Sequence, residues 1–225
     1  MDYSQYNLEK TGYLKEDFRL FHINDQTKKD FSYHYHDFHK LLFFLSGNVT
    51  YCIEGKSYQL TPGDLVLVRA GEVHRPVIHD TTPYERMIIY VSPDFAVTSS
   101  DKTIFLNQCF LPDAAMPSNV LHLSGMKERR LLDTMMELVH SFSEDSFANE
   151  IYQNTLFLEF MIHLNRAALS GTLQYEDSFQ ANEKILSVLT YMNEHLTEDI
   201  TVDSLAEHFF TSRYYLMHSF KEQTG

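Results

Sequence analysis

The sequence predicts an α+β fold in which an antiparallel β-sandwich or barrel precedes a run of helices. Three observations carry that prediction. Between His34 and His79, apolar runs of strand length (Lys40–Leu45, Val49–Ile53, Leu65–Val68, Val73–Ile78) are separated by Ser46-Gly47-Asn48, Glu54-Gly55-Lys56 and Pro62-Gly63-Asp64. Short strands so closely punctuated by turn residues close into a compact antiparallel unit. From Met126 the apolar spacing changes to three and four residues, the mark of one helix face. After residue 181, short segments open on Thr or Ser where helices would begin.

Taken in order, residues 1–17 are polar and Tyr-rich and read as a loosely held arm. Phe18–Ile23 is a leading strand, and the four runs above follow it. Tyr84–Val91 (YERMIIYV) is a further strand, closed by Ser92-Pro93-Asp94. Residues 99–124, with Pro112 and Pro117, form an irregular connector. A helix runs from Met126 to Phe142 with Ser124 as N-cap and Leu132, Met135, Val139 and Phe142 on one face. A second, from Asn149 to Leu169, is apolar on more than one side (Ile151, Leu156, Phe157, Leu158, Phe160, Met161, Leu164) and so needs cover on both, from its own domain or a second subunit. Gly171 stops it, and the polar residues 171–180 are a linker. Asn182–Leu196 is an amphipathic helix. A short helix follows from Thr201, its N-cap, to about Phe209, with Asp203 complementing the positive helix end. Thr211-Ser212 turns the chain into a last helix reaching Gly225. Leu205, Ala206, Leu216 and Phe220 give this pair a small shared core, which makes it a helix-turn-helix.

Composition bounds the function. A chain of 225 residues holds one large domain or a medium and a small one. No run approaches the roughly 18 apolar residues of a membrane span, and MDYSQYNLEK is not a signal peptide. Cys52 and Cys109 are too few for a disulfide framework, so a reducing cytoplasm is the expected compartment. The net charge of −13 argues against sequence-independent binding of phosphate backbones by the whole chain, without excluding a local basic surface.

Two stretches resemble known families. His34-x-His36, Lys40, six residues and Gly47 resemble the first motif of the cupin jelly rolls, the double-stranded β-helix barrels. Gly63, five residues, Arg69-Ala70-Gly71, two residues and His74 resemble the second. Lys40 stands where a metal-binding cupin usually has Glu, and Arg69 and Ile78 replace the usual Pro and Asn. ITVDSLAEHFFTSRYYLMHSFKEQTG (Ile200–Gly225) resembles the first helix-turn-helix of the AraC/XylS family of bacterial transcription regulators. That family joins a cupin-like sensor, a helical dimerisation segment and two helix-turn-helix units. The resemblance implies a ligand-binding barrel over 1–98, a linker and helical dimerisation region over 99–178, and a partial DNA-binding domain over 179–225. The family's connecting helix and second helix-turn-helix are not in this sequence, and Phe210 stands where the turn often has Gly.

The expected function is ligand-responsive control of transcription rather than catalysis, with no cofactor. Its partners would be a small polar effector (a sugar or related metabolite), an operator DNA bound weakly by this chain, and a second copy of the chain. His34, His36, Lys40, Arg69 and His74 are the candidate effector contacts, the cations suiting a carboxylate, phosphate or polyhydroxyl group. The competing expectation is a metal-dependent cupin enzyme with a helical appendage, its ion held by His34, His36 and His74 with His39 as fourth ligand; an ammonium at Lys40 opposes a cation there. On the last helix, Tyr214, Met217 and His218 lie off the inward side, near the end where a recognition helix meets base edges. Ser212, Arg213 and Lys221 complete the expected DNA contacts, the two cations on phosphates.

Overall fold

The computed structural model describes residues 9–10, 12–99, 102–111, 118–123, 129–171, 173, 183–195 and 198–224. Its strands are β1 (Glu9–Lys10), β2 (Phe18–Asp25), β3 (His34–Tyr35), β4 (His39–Ser46), β5 (Val49–Ile53), β6 (Lys56–Gln59), β7 (Asp64–Val68), β8 (His74–Ile78), β9 (Tyr84–Val91), β10 (Ala96–Ser99), β11 (Lys102–Phe105) and β12 (Val120–His122). The helices are α1 (Arg129–Ser141), α2 (Asn149–Leu169), α3 (Glu183–Glu194), α4 (Val202–His208) and α5 (Arg213–Thr224).

Two five-stranded sheets face each other, in the orders β1-β3-β8-β5-β6 and β12-β7-β4-β9-β2, with β10-β11 as a separate hairpin. Leu42 and Phe44 of β4, Val66 and Val68 of β7 and Ile88 of β9 meet Val49, Tyr51 and Ile53 of β5 and Ile78 of β8 in one buried cluster. This is the barrel interior. The predicted runs lie in strands, save that β8 begins at His74 and not at Val73. β1, β3, β6, β10, β11 and β12 were not foreseen: none exceeds four residues, too few to show a pattern against their flanks. The connector over 99–124 is accordingly less irregular than expected, since β12 completes the second sheet against β7.

The other face of that second sheet is also buried. Leu41 and Phe43 of β4, Leu65 and Leu67 of β7 and Met87 and Ile89 of β9 pack with Leu131, Met135 and Leu138 of α1 and Phe157, Phe160, Met161 and Leu164 of α2. A strand covered on both sides reads as a continuous apolar run, as HKLLFFLS does. Each Leu or Phe so buried contributes about 1.5–3 kcal/mol. The apolar stripe of α1 therefore serves the chain's own core, not a seam between subunits. Its fully buried row is Leu131, Met135 and Leu138, with Leu132, Val139 and Phe142 on the flank, slightly rotated from expectation. Ser124 and the predicted first turn of that helix lie outside the described residues. The second helix has the predicted bounds.

Asn165 ties α2 to the segment after β11. Its buried amide donates to Leu106 O at 2.8 Å and Met161 O at 2.7 Å and accepts from Cys109 N at 2.8 Å. Both cysteines are buried and free.

Ile185 and Val188 of α3, Leu205 and Ala206 of α4 and Leu216 of α5 form a separate small core. Thr201 caps α4 reciprocally: its hydroxyl accepts from Ser204 N at 3.1 Å while Ser204 Oγ accepts from Thr201 N at 3.0 Å. Ser212 Oγ accepts from Tyr215 N at 3.1 Å and opens α5. Between the helices Phe210 adopts φ +48°, the left-handed conformation that glycine tolerates, and its ring is almost fully exposed. The turn keeps its shape despite lacking Gly, at a local backbone cost of about 1–2 kcal/mol.

Candidate functional site

Alternation along β4 and β9 decides what enters the barrel. Lys40 is opposite Val68 and Tyr90 in register and points inward with Leu42 and Phe44. It is 6% exposed, and its Nζ lies 5.7 Å from the Tyr51 ring centre on the facing sheet. Arg86 of β9, 5% exposed, shares the interior phase with Tyr84 and Ile88. Its guanidinium pairs with Asp25 Oδ2 at 2.7 Å, donates to Tyr84 O at 2.9 Å and stacks 3.9 Å from the Tyr84 ring. Burial pushes the Asp25 carboxyl up, but hydrogen bonds from Lys29 and Arg86 outweigh it and hold it below its usual value. Burial, with Arg86 nearby, pulls the Lys40 ammonium down to about 7.

His34, His36 and His74 converge beside this group. One ring nitrogen from each lies within 4.8 Å of the other two, and the His34 and His74 ring centres are 4.5 Å apart. His34 Nδ1 and His74 Nδ1 donate to Ser32 O at 2.8 Å and Glu72 O at 3.0 Å, which leaves the lone pair on Nε2 in each neutral ring. Burial lowers the pKa of His34, and burial followed by Lys40 and His34 takes His74 well below its usual value. Tyr51 stacks on His74 at 6.0 Å and so joins the histidines to Lys40.

Buried polar atoms without a hydrogen-bond partner gather here: Tyr51 OH, Tyr84 OH, Arg86 Nε and His74 Nε2. Each such group costs about 1–3 kcal/mol if nothing satisfies it. Tyr51, Tyr84 and Arg86 all belong to the interior row that also holds Lys40.

Two predicted contacts belong elsewhere. His39, expected as a fourth metal ligand, faces the helices: its Nδ1 accepts from Ala70 N at 3.0 Å and its ring stacks on Phe110 at 4.2 Å. It neighbours Lys40, so strand alternation sends it to the opposite face, where burial and then Arg69 pull its pKa down to about 4. Arg69 lies on that outer side too, past the end of β7, its backbone N–H donating to Glu72 Oε2 at 2.8 Å. The nitrogen geometry of the three remaining histidines fits a divalent metal ion, and the Lys40 ammonium, whose charge acts on His34 and His74, opposes one. Arg86, Asp25, Tyr51 and Tyr84 were missed. The signal was present in Tyr84-x-Arg86-x-Ile88-x-Tyr90, an arginine in the buried phase of an alternating strand.

On α5, Tyr214, Met217, His218 and Lys221 are exposed, while Leu216 and Ser219 are buried. Arg213 is engaged within the chain: its Nη1 lies 2.9 and 3.1 Å from the two Asp203 oxygens.

A family model described as the AraC-like ligand binding domain matches residues 20–161, most of the chain, from β2 through the first half of α2. The chain belongs to the AraC family. Among its curated relatives is the HTH-type transcriptional activator RhaS of Shigella sonnei (strain Ss046), 27% identical over 202 residues, covering 87% of this chain and 67% of the relative. RhaS of Escherichia coli O6:H1 is 26% identical over 201 residues with the same coverage. The chain thus spans about two thirds of the length of these relatives. Solved structures with low similarity include the AraC-like transcriptional activator CuxR (14% identity, TM-score 0.39, 84% of this chain and 62% of that one) and ToxT from Vibrio cholerae (13%, 0.39, 92% and 76%). As an AraC-family member the protein is a ligand-responsive transcription regulator. Among the described residues no helix is long and apolar enough to cross a membrane.

The depressed Lys40 predicts a pH dependence. An unfolded lysine keeps its proton up to about 10.5, whereas the buried one sheds it near 7, so the unfolded chain binds more protons throughout that window. Stability should therefore rise with pH from 7 to 9, by about 1 kcal/mol per unit, and be lost again as pH falls to 7. Glu54, pushed up by burial to about 7, titrates at the lower edge of the window with the opposite sign and flattens the slope between pH 7 and 8, while Tyr33, at about 12, titrates above it. Urea denaturation at pH 7, 8 and 9 checks this: Lys40→Met should flatten the slope, and an unchanged slope in that variant would assign it to another group.

Proposed function

We propose that the barrel interior is the effector site of this regulator and that its effector is a small, neutral or anionic polar molecule such as a sugar or a related metabolite. The observation that carries the reading is the set of unpartnered buried polar atoms on Tyr51, Tyr84, Arg86 and His74 beside Lys40. Dry, fixed donors and acceptors of this kind bind polyhydroxyl or carboxylate groups without competition from water. The effector acts by binding one arrangement of the regulator better than another; equal affinity for both shifts nothing.

Two further surfaces support the remaining parts of the reading. Along α2, Ile151, Thr155, Leu158, Ile162 and Leu169 follow helical spacing, with Ile151, Ile162 and Leu169 exposed. An apolar stripe on the side of α2 away from the sheet suits a second copy of the chain, and the homodimer forms there, not at Met135. Residues 201–224 form the helix-turn-helix, in which α5 is the recognition helix. Tyr214, Met217 and His218 face base edges, Ser212 and Lys221 reach phosphates, and Arg213 does so once it leaves Asp203. The cupin-enzyme alternative draws no support from the relatives, which are named as transcriptional activators.

Thermal-shift measurements against neutral and acidic polyols should find a stabilising ligand, worth about 2.7 kcal/mol at a hundredfold excess over its dissociation constant. Tyr51→Phe and Lys40→Met should each weaken its binding about tenfold or more; unaltered affinity in both would move the effector out of the barrel. For the dimer, Ile162→Asp should give a folded monomer by light scattering at micromolar concentration, while a monomeric parent chain ends the idea. On a mixed-sequence duplex, the parent should show a shallow salt dependence, near one phosphate contact per helix-turn-helix. Asp203→Asn frees Arg213 and should steepen log affinity against log salt by about 0.9. An identical slope in the two chains would show that Arg213 never reaches the backbone.

A further inference from the structure

The effector site contains a reactive group that a purely hydrogen-bonding pocket does not need. Lys40 is a primary amine at the centre of β4, enclosed by the barrel and directed at the face of Tyr51. It makes no ion pair among the described residues, and the carboxylate paired with its neighbour Arg86 is that of Asp25, at 2.7 Å. The groups nearest in charge are cationic or potentially so: Arg86, His34 and His74. An amine buried in apolar surroundings next to a fixed positive charge is the arrangement that makes a lysine nucleophilic at neutral pH. Structure alone gives no reason for it, since a methionine would fill the same space without desolvating an ammonium. Beside it stand an unpartnered hydroxyl on Tyr51 and an unpartnered, unprotonated nitrogen on His74, so a hydroxyl and a base are at hand on the same interior surface.

We propose that Lys40 captures the carbonyl group of the effector as a reversible imine, which makes the effector a small polar aldehyde or ketone. The Nζ lone pair adds to the carbonyl carbon, and the carbonyl π pair moves onto oxygen. That oxygen takes up a proton released by the nitrogen, giving a carbinolamine. It then departs as water with the second nitrogen proton, leaving a C=N bond. One water forms for each imine and hydrolysis restores both partners, so no oxidant or reductant enters. The burial of Lys40 that yields a free amine also excludes bulk water and slows the return step. Tyr51 and His74 supply and accept the protons moved between nitrogen and oxygen. The inference rests on the barrel being the effector site and narrows the class of effector it takes.

Hydride trapping tests it on the full 225-residue chain. Glycolaldehyde with sodium cyanoborohydride at pH 7, followed by peptide mass mapping, fixes each imine as a stable secondary amine. A lysine in water is ordinarily less than about 0.1% free amine at this pH, whereas Lys40 is about half free. Lys40 should therefore label at least about 100-fold faster than the exposed lysines. Labelling no faster than the exposed lysines overturns the proposal. Lys40→Arg keeps a cation but cannot form an imine, and it should abolish the fast phase; a fast phase that survives in that variant overturns the proposal as well. A polyol that stabilises the chain in thermal-shift measurements distinguishes the two levels of the argument. Suppression of Lys40 labelling by that polyol places both in one cavity and supports the imine. Stabilisation by the polyol with no fast labelling at all overturns the imine and leaves the effector site standing.

Discussion

The constraint on which this structure depends is that β4 is buried on both faces. Its inward row (Lys40, Leu42, Phe44) belongs to the barrel, and its outward row (His39, Leu41, Phe43) belongs to the helices. Because side chains alternate strictly, a slip of one residue would exchange the rows. Lys40 would then face Phe110 and α2, and His39 would enter the barrel. Two cores acting on one strand hold its register from both sides, and so hold Lys40 in place. The same fact explains why α1 and α2 are inseparable from the sheets. Without them the outward rows of β4, β7 and β9 would lie bare, and the AraC-like domain accordingly extends through most of α2.

The interior so defined carries more positive than negative chemistry, and proton loss resolves the conflict. An unpaired charge in such a place costs several kcal/mol, while shedding a proton costs about 1.4 kcal/mol per unit of pKa displacement. His34, His74 and Lys40 therefore give way, each with its pKa lowered by burial. Arg86 is balanced instead by Asp25, in an ion pair at 2.7 Å. What remains is a surface rich in polar atoms yet nearly free of net charge. Such a surface binds molecules through hydrogen bonds and local nucleophilicity more than through long-range attraction.

Much of this was legible in the sequence, for physical reasons that also set the limits. Turn residues and apolar runs mark strand ends, so β4, β5, β8 and β9 emerged with bounds close to those observed. The convergence of His34, His36 and His74 followed from cupin-like spacing. His39 was misassigned because its ligand chemistry was weighed without its strand parity: adjacent residues on a strand cannot share a face. Arg86 was passed over because an isolated charge in an apolar run looks like an exposed position until the neighbouring sheet is in place. For Met135, periodicity tells that its helix face is covered and not by what; the cover is the outward face of β4, β7 and β9. The capping residues Thr201 and Ser212 were recoverable because capping is local chemistry, complete within four residues.

Asn165 gives the helices a mechanical character. Its amide grips Leu106 O and Cys109 N, and Phe110 beside that grip stacks on His39, the residue next to Lys40. Sliding α2 along its axis by one turn would break both tertiary bonds and leave buried amide groups unsatisfied. Tilting about Asn165 breaks neither. At the other end of the helix Asn149 Nδ2 donates to Ser141 O at 2.8 Å and the Tyr152 hydroxyl donates to Glu137 Oε1 at 2.9 Å, so α2 is keyed along its axis at one end and tied to α1 at the other, and the two helices form a single rigid cover over the outward row of β4.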